Sequence, residues 1–344
     1  MKYNVAGLDL GDLESLLASW EEPRFRARQI FTWIYQRGIF DFSAMSDLPA
    51  ALRQRLNKEC AAGELSLQET RRSLDKTEKF LFSLADKGLI EAVSIPAEGR
   101  VTGCISTQVG CKFGCSFCAS GKTGFTRNLT AAEIVEEALY LKYRSTAKQL
   151  THLVFMGMGE PLDNYDNVLK AIRILNAKHG MNIGIRRITI STCGIIPQIA
   201  RLSAEGMQFE LSVSLHAADD KTRSTLMPVN KRYALKELIA ACRAYRAQTG
   251  RQVTFEYILL PGVNSSLADA RKLGTILEGF DCKVNLIPAN APGAAGLKAP
   301  DKHDVLLFKE ALIQSGIHAT VRKSRGQDIE AACGQLRARY QQKA

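Results

Sequence analysis

The first part of the chain has apolar residues at the spacing of helices with one buried face. This pattern predicts three helices, at residues 8–20, 24–37 and 48–60, and the second follows Pro23. Proline suits the start of a helix, where backbone N–H groups have no partner within the helix. Residues 1–62 are therefore expected to form a small helical accessory domain. Arginines on its second helix could contact phosphate, or could simply face solvent.

From Leu65 onwards apolar and polar residues alternate, which is the period of a strand with one buried face. Residues 79–84 and 89–96 predict a β-hairpin, and residues 63–98 are expected to form an extension built around it. Glu91 shares a face of the second strand with Val93. A carboxylate on this apolar face could act as a base or an acid near neutral pH. Alternatively, on an edge strand it would reach water and have no role in chemistry.

After residue 100 strands and helices alternate. Strands are predicted at 101–107, 152–156, 187–192, 210–216, 252–260 and 283–288. Helices are predicted between them, at 131–143, 164–178, 196–205, 235–249 and 267–278, and Thr130 with Glu133 makes a capping box for the first. Repeated βα units require a parallel sheet covered by helices, and eight units would need a longer chain. The fold class is therefore α/β, with residues 99–344 forming a partial (β/α)6 barrel.

The end of the chain is less regular. A last strand is predicted at residues 318–324, and a short helix is predicted after Cys333. Residues 288–300 are rich in Ala, Gly and Pro and are expected to form a flexible loop.

Residues suited to binding follow the predicted strands. In a parallel sheet, chemistry gathers at the carboxyl ends of the strands. A cysteine-rich loop follows the first barrel strand. The later strand ends carry Gly159, Glu160, Ser191, Ser214, Leu215, His216 and Asn290. Each of these taken alone is compatible with an ordinary turn or cap, so their convergence on one edge carries the prediction.

The cysteine-rich loop contains Cys111, Cys115 and Cys118 in the spacing C-x3-C-x2-C. Three thiolates in a tight glycine-framed loop can hold three irons of an iron–sulfur cube and leave the fourth open. A structural zinc site normally has four ligands, and His152, at the start of a predicted strand, is a poor fourth one. Three inert buried cysteines are the remaining alternative. The spacing favours an open iron–sulfur cluster.

Composition and charge fit this picture. The 344 residues are 46% hydrophobic and 24% charged, which is typical of a globular protein. No apolar run has membrane-spanning length and no secretion signal is recognisable, so we expect no membrane partner and a cytoplasmic location. Nine cysteines in a reducing compartment favour metal or redox chemistry, although Cys60, Cys193, Cys242 and Cys282 are expected to be small buried apolar residues. The net charge of +11 favours a polyanionic partner such as RNA.

Several motifs, in order along nearly the whole chain, carry a family resemblance. They are the segments 104–111, 124–130, 155–162, 214–217 and 331–336, which include the cysteine loop and a Gly-Glu-Pro sequence at residues 159–161. In these segments the chain resembles the RlmN/Cfr family of radical S-adenosylmethionine RNA adenosine methyltransferases. The proline after Glu160 is more similar to the RlmN branch, which methylates C2.

The resemblance implies a role for each site residue. Cys111, Cys115 and Cys118 would bind one 4Fe–4S cluster. The residues at the later strand ends, Gly159 to Asn290, would contact S-adenosylmethionine. Cys333 would carry the methyl group, Cys104 would resolve the covalent adduct, and Glu91 would accept a proton.

The resemblance also implies the order of events. One S-adenosylmethionine would methylate Cys333, and a second would provide the radical that takes a hydrogen from that S-methyl group. The resulting carbon radical would add to the adenine ring and link protein and RNA. Attack by Cys104 on the sulfur of Cys333 would release the product and leave a disulfide. Two S-adenosylmethionine molecules would be needed for each turnover, and an external electron donor and a disulfide reductant would be partners of the protein.

Three functional hypotheses follow. The first is C2 methylation of an adenosine in 23S rRNA and of the adenosine next to the anticodon in some tRNAs, by a monomer. The second is C8 methylation of 23S rRNA, the antibiotic-resistance activity of the Cfr branch. The third is an RNA-binding protein without enzyme activity that holds zinc in the cysteine loop.

Overall fold

In the computed structural model, which describes residues 2–147, 149–289 and 299–336, the chain begins with a small helical module. Its elements are α1 (Leu10–Ala18), α2 (Phe25–Tyr35) and α3 (Ala50–Glu59), with strands β1 (Tyr3–Asn4) and β2 (Cys60–Ala61). The two short strands pair in parallel and bring the ends of the module together. Asp9 and Asp12 form a capping box at the start of α1. The three helices predicted from the apolar spacing are confirmed, with slightly narrower bounds.

An antiparallel group of strands follows. These are β3 (Ser66–Arg72), β4 (Glu78–Ser83), β5 (Leu89–Ala97) and β6 (Arg100–Cys104). The predicted hairpin is confirmed as β4 and β5. Because β5 also pairs with β6, the extension is continuous with the main sheet, and Glu91 lies on an interior strand. The alternative in which Glu91 reaches water from an edge strand is therefore wrong, since the residue is only 3% exposed.

The cysteine loop is framed by short elements that alternation and helical spacing did not predict. They are β7 (Gln108–Gly110), α4 (Ala119–Lys122) and β8 (Phe125–Asn128). Strands β7 and β8 pair as a small antiparallel ladder on either side of the loop. Elements of three or four residues contain too few positions to show a period.

The remaining strands run parallel to β6. They are β9 (His152–Phe155), β10 (Ile188–Thr192), β11 (Glu210–Ser214), β12 (Val253–Leu259), β13 (Cys282–Pro288) and β14 (His318–Val321). Together with the antiparallel group they form one sheet, with the order β14-β13-β12-β11-β10-β9-β6-β5-β4-β3. The barrel strands are neighbours in chain order, and β14 and β6 are not paired with each other. This is the open α/β barrel that the sequence predicted.

Helices cover the outer face of the parallel strands. They are α5 (Ala131–Arg144), α6 (Tyr165–Asn176), α7 (Ile196–Ser203), α9 (Leu235–Thr249), α10 (Leu267–Leu277) and α11 (Lys302–Gln314). A further helix, α8 (Asp220–Leu226), follows β11 and packs near the carboxyl ends of the strands. The predicted capping box of Thr130 and Glu133 begins α5. A large core of buried aliphatic and aromatic side chains lies between these helices and the sheet. It fixes the strands whose carboxyl ends carry the candidate site.

The end of the chain departs from the prediction. Strand β14 ends at Val321, and a 3-10 turn at Gln327–Ile329 precedes Cys333. The predicted helix after Cys333 is absent from residues 334–336, and its remainder lies outside the described residues. Most of the Ala-, Gly- and Pro-rich segment, including Asn290, also lies outside them.

Candidate active site

The cysteine loop is held closed at its base by backbone contacts. Gly110 ends β7 with φ +77°, and a side chain there would stand 1.8 Å from the carbonyl oxygen of Gly124. Only glycine fits this close approach at a positive φ. The Cys111 N–H donates to the same carbonyl oxygen at 2.8 Å, and the Cys118 N–H donates to the carbonyl of Cys115. These bonds place all three cysteines on one small loop.

The loop forms one wall of a cavity at the carboxyl ends of the barrel strands. This cavity has a volume of about 160 Å³. Its lining includes the predicted residues Cys111, Cys115, Cys118, Gly159, Glu160, Ser191, Ser214, His216 and Cys333. Leu215 is buried beside the cavity, where its backbone N–H donates to the Glu256 carbonyl at 3.0 Å. The structure thus brings together residues that the sequence placed on separate strands.

Glu160 is fixed in one orientation on the cavity wall. Its carboxylate accepts hydrogen bonds from the backbone N–H of Cys193 at 2.7 Å and of Leu162 at 3.1 Å. Burial raises the pKa of this carboxyl, while the hydrogen bond from Cys193 acts in the opposite direction. Gly159 precedes it with φ +98°, close against Gln108. Glu160 lines the cavity, so its carboxylate could bind an amino group there.

His216 is a neutral wall residue. Its Nδ1 accepts a hydrogen bond from the backbone N–H of Ile258 at 3.0 Å, so that nitrogen carries no proton. Burial lowers the pKa of the ring to about 3. Phe117 of the cysteine loop packs edge-on against the ring, with a centroid distance of 4.7 Å. His216 therefore provides a flat uncharged surface on which a heterocycle could stack.

An arginine that sequence reasoning missed ties the strand ends together. Arg223 on α8 is fully buried, and its guanidinium donates to the carbonyl oxygens of Cys193, Ser214 and Leu215 at 2.8–3.1 Å. It also donates to Asn230. No motif marks this residue, because a single arginine in a short polar helix usually faces solvent.

Cys104 and Cys333 meet at a second, larger cavity of about 520 Å³ that adjoins the first. Cys104 is buried at the end of β6, whereas Cys333 is exposed on its loop. Cys333 lines both cavities, as do Met156 and Arg322. Burial and the nearby Cys333 raise the pKa of the Cys104 thiol, and the positive charge of Arg322 opposes this increase. A sulfur at position 333 can thus face either the cysteine loop or Cys104.

The Cys333 loop is attached directly to the cysteine loop. The Ala119 N–H donates to the carbonyl of Gly334 at 2.7 Å, and the Ser120 hydroxyl donates to the carbonyl of Leu336 at 2.6 Å. Both donors lie on α4, which begins immediately after Cys118. This arrangement holds Cys333 at the mouth of the cysteine-lined cavity.

Glu91 does not line either cavity, but it lies on the sheet face that the Cys333 loop covers. Its carboxylate forms an ion pair with Lys79, with 3.1 Å between Nζ and Oε1, and both side chains are buried. On β5, Val93 stands directly opposite Cys104. Residues two apart on a strand share a face, so Glu91, Val93 and Cys104 point to the same side.

The donor set fits an iron–sulfur cluster. Within the described part of the chain, no group of three or more His, Cys, Asp or Glu side chains is placed to hold a metal ion. In a 4Fe–4S cube, however, each cysteine binds a different iron. The three sulfurs therefore do not need to converge on a single metal position, and can lie further apart. Three thiols along one wall of a cavity meet this requirement.

Comparison with known proteins places the chain. Residues 3–62 match the ribosomal RNA large subunit methyltransferase N-terminal domain, and residues 105–273 match the radical SAM superfamily. A crystal structure of a radical SAM methyltransferase from Sphaerobacter thermophilus has a TM-score of 0.95 and 47% identity, covering 98% of this chain and 100% of that one.

Curated relatives agree over almost the full length. A protein of Thermotoga neapolitana is 46% identical over 97% of both chains, and one of Thermoanaerobacter sp. (strain X514) is 44% identical over 98% of both. Each is named a probable dual-specificity RNA methyltransferase RlmN.

An open parallel barrel with three cysteines after its first strand is the architecture of a radical S-adenosylmethionine enzyme. Membership in this superfamily implies a 4Fe–4S cluster and S-adenosylmethionine as cofactors. Within it, the chain belongs to the RlmN family of RNA methyltransferases. The family resemblance carried by the sequence motifs is confirmed. No described helix has the length and apolar character that crossing a bilayer requires.

Proposed function

We propose that this chain methylates C2 of a specific adenosine in 23S rRNA, and C2 of the adenosine next to the anticodon in some tRNAs. One observation supports this proposal above the others. Cys333 stands on the wall shared by two cavities, one lined by the cluster cysteines and the other by Cys104. In the proposed reaction the sulfur of Cys333 receives a methyl group beside the cluster and releases the carbon beside Cys104. This requires a position that borders both cavities. The names of the full-length relatives support RNA as the substrate.

The cofactors would be held by the residues of the smaller cavity. Cys111, Cys115 and Cys118 would bind one cluster through three of its irons and leave the fourth for S-adenosylmethionine. Glu160 would accept hydrogen bonds from the amino group of the cofactor, and His216 would lie against its flat part. Gly159, Ser191, Ser214 and Leu215 complete the proposed contacts. Asn290 is included from the family resemblance alone.

The bound cofactors supply a methyl group, a carbon radical that abstracts hydrogen, and a site that donates one electron and takes one back. Cys333 accepts the methyl group on its sulfur in place of the thiol proton and loses one hydrogen atom from that group, so that the carbon bonds to C2 of the adenine and leaves one unpaired electron on the ring. The adduct gives up this electron. Glu91 then takes the hydrogen of C2 as a proton.

Cys104 completes the turnover. Its thiolate attacks the sulfur of Cys333, a disulfide bond forms, and the bond between that sulfur and the transferred carbon breaks. The electron pair of the broken bond goes to the carbon, which takes up a proton and becomes the methyl group. Burial raises the pKa of the Cys104 thiol, and the positive charge of Arg322 offsets part of this increase, towards the thiolate form that the attack requires.

The scheme defines the partners. Two S-adenosylmethionine molecules are consumed per methyl group, one for the methyl and one for the radical. An external donor must reduce the cluster, and a thiol reductant must reopen the disulfide. We place the reaction in the cytoplasm, where its RNA substrates are, and we propose that a monomer suffices because one chain contains every residue named.

The test is nucleoside analysis of RNA from a strain that lacks the protein, after incubation with reconstituted protein, S-adenosylmethionine and a strong reductant. The wild type is expected to form 2-methyladenosine, and Cys333→Ala is expected to form none. Cys282→Ala is the matched control, because Cys282 begins β13 and so lies at the amino ends of the barrel strands, away from the site at their carboxyl ends.

Other outcomes would favour the alternatives. Methylation by Cys333→Ala would contradict the covalent scheme, and 8-methyladenosine would identify the C8 activity. A colourless anaerobic preparation that contains zinc and no iron would favour an RNA-binding protein without enzyme activity.

A further inference from the structure

Lys79 is a buried cation with two partners on different parts of the chain. Its side chain is 6% exposed. Its Nζ lies 3.1 Å from the Glu91 carboxylate and donates at 3.1 Å to the backbone carbonyl of Glu330. Glu330 has φ +53° and stands three residues before Cys333. One ammonium group therefore joins the proposed base to the loop that carries the methylated cysteine.

The register of the sheet explains how these groups meet. Lys79 on β4 stands opposite Val93 on β5, and Val93 stands opposite Cys104 on β6. Directly opposed residues point to the same face. Val93 and Cys104 pack there against Ile329 and Ala331 of the Cys333 loop. Lys79 thus reaches the backbone of the loop from the sheet face that also carries the resolving cysteine.

A second set of contacts holds the same loop from the β3–β4 turn. Asp328 accepts hydrogen bonds from the Ser73 hydroxyl at 2.6 Å and from the Leu74 N–H at 3.3 Å. The Gly326 N–H donates to Asp75 at 3.0 Å. Because α4 holds residues 334 and 336, the loop is fixed at both ends, and Lys79 contacts it between them.

We propose that Lys79 is a positioning residue of the reaction, which holds the Glu91 carboxylate and the Cys333 loop in fixed positions relative to each other. This inference rests on the proposed function, because it matters only if Glu91 removes a proton from an adduct that is attached through Cys333. A charge-assisted hydrogen bond to each partner fixes both with one side chain. Glu91 is then in place when the ring carbon, bonded to Cys333, has to lose its proton.

The first test measures the lifetime of the protein–RNA adduct, detected as labelled RNA that stays with the protein on a denaturing gel. With Lys79→Met, Cys333 is expected to become methylated and to form the adduct. The adduct is then expected to persist about ten- to a hundred-fold longer than in the wild type, the effect of a misplaced group near reacting atoms. Lys79→Arg, which keeps a cation, is expected to restore most of the wild-type rate. Lys87→Met, on the exposed turn of the same hairpin, is the matched control.

The second test needs no cofactor. Hydrogen exchange of residues 326–336 in the protein alone is expected to be roughly ten-fold faster with Lys79→Met and unchanged with Lys87→Met. Wild-type adduct lifetime, or unchanged loop exchange, in Lys79→Met would overturn the proposal. Recovery of most of the wild-type rate in Lys79→Arg, together with both expected changes in Lys79→Met, would support it.

A double variant covers the case in which Lys79→Met does not fold. Lys79→Met/Glu91→Gln removes both buried charges, which is tolerated better than removing one. Its loop is expected to exchange faster than that of Glu91→Gln alone, and equal exchange would overturn the proposal. If the wild type itself never methylates Cys333, the proposed function fails, and that result is visible before any Lys79 variant is made.

Discussion

The two cysteines with proposed catalytic roles have opposite surroundings. Cys104 is buried at a strand end, and Cys333 is exposed on a loop that borders both cavities. An exposed sulfur can meet bulky partners such as RNA, whereas a buried thiol can reach only groups that lie beside it in the protein. The proposed roles follow from this difference in access.

Replacing Cys104 with alanine is expected to stop the reaction after the covalent adduct has formed. No other thiolate is proposed to attack the sulfur of Cys333, so the RNA should stay attached to the protein. The measurement is the mass of the protein–RNA species after nuclease digestion, with Cys333 as the modified residue. Cys104→Ala/Cys333→Ala is the control and should form no adduct. Release of methylated RNA by Cys104→Ala would refute the resolving role.

The sequence predicts some residues of the site far better than others. The three cysteines proposed to bind the cluster lie within eight residues, so local spacing is enough to single them out. Lys79 and Arg223 depend on contacts made after folding, with partners such as Glu330 and Cys193 far along the chain. Neither has a local pattern, and a lysine or arginine is usually assigned to the surface. Glu91 is intermediate, because its strand face was predictable and its ion pair was not.

The β7–β8 ladder acts as the base of the cysteine loop. Gly110 is its most constrained position, because any Cβ would collide with the Gly124 backbone. Gly114 lies in the same loop at φ +63°, but nothing stands within 4 Å of a Cβ there. The two glycines therefore separate the effect of a collision from that of backbone strain alone.

Gly110→Ala is expected to displace the cysteines and to reduce the iron content after anaerobic reconstitution to a small fraction of that of the wild type. Gly114→Ala is expected to keep most of its iron, with a stability loss of about 1 kcal/mol from the positive φ. Iron and sulfide analysis measures both. Normal iron content in Gly110→Ala would mean that the β7–β8 ladder does not shape the proposed cluster site.

Regular elements were predictable because their periods are long enough to read. The helix predicted at 235–249 is α9 with the same bounds, and Thr130 caps α5 as expected. The pairing of strands was harder to predict from the sequence. Alternation in residues 89–96 predicts a strand, but it does not show whether a third strand pairs with the hairpin. The continuity of the extension with the barrel is decided by contacts distant in sequence.

The helical module and the barrel are joined by a buried acid. Glu136 on α5 accepts hydrogen bonds from Asn4 at 3.1 Å and from the backbone N–H groups of Gly63 and Leu65 at 3.0 Å. Asn4 lies at the start of the module, and Gly63 and Leu65 follow directly after its end. Burial raises the pKa of Glu136 to about 7, against the lowering effect of the hydrogen bonds.

The raised pKa predicts a pH-dependent stability. Between about pH 4.5 and pH 7 the folded protein keeps a proton on Glu136 that the unfolded chain has lost. The free energy of unfolding should therefore decrease as the pH rises through this window, by on the order of 3 kcal/mol from this group.

Glu136→Gln cannot ionise, so denaturant unfolding at several pH values should show a flatter profile for this variant. Glu237→Gln, which changes an exposed acid on α9, is the control and should keep the wild-type slope. An unchanged slope in Glu136→Gln would contradict the assignment.

The fate of the hydrogen atoms in the transferred methyl group tests the proposed chemistry of the whole molecule. With S-adenosylmethionine that carries a fully deuterated methyl group, the proposed scheme removes one deuterium when hydrogen is abstracted from the Cys333 S-methyl group. In the same scheme the last hydrogen of the product comes from solvent after Cys104 attacks. Mass spectrometry should therefore find 2-methyladenosine with two deuterium atoms in its methyl group. A product with all three would mean direct transfer and would contradict the role of Cys333.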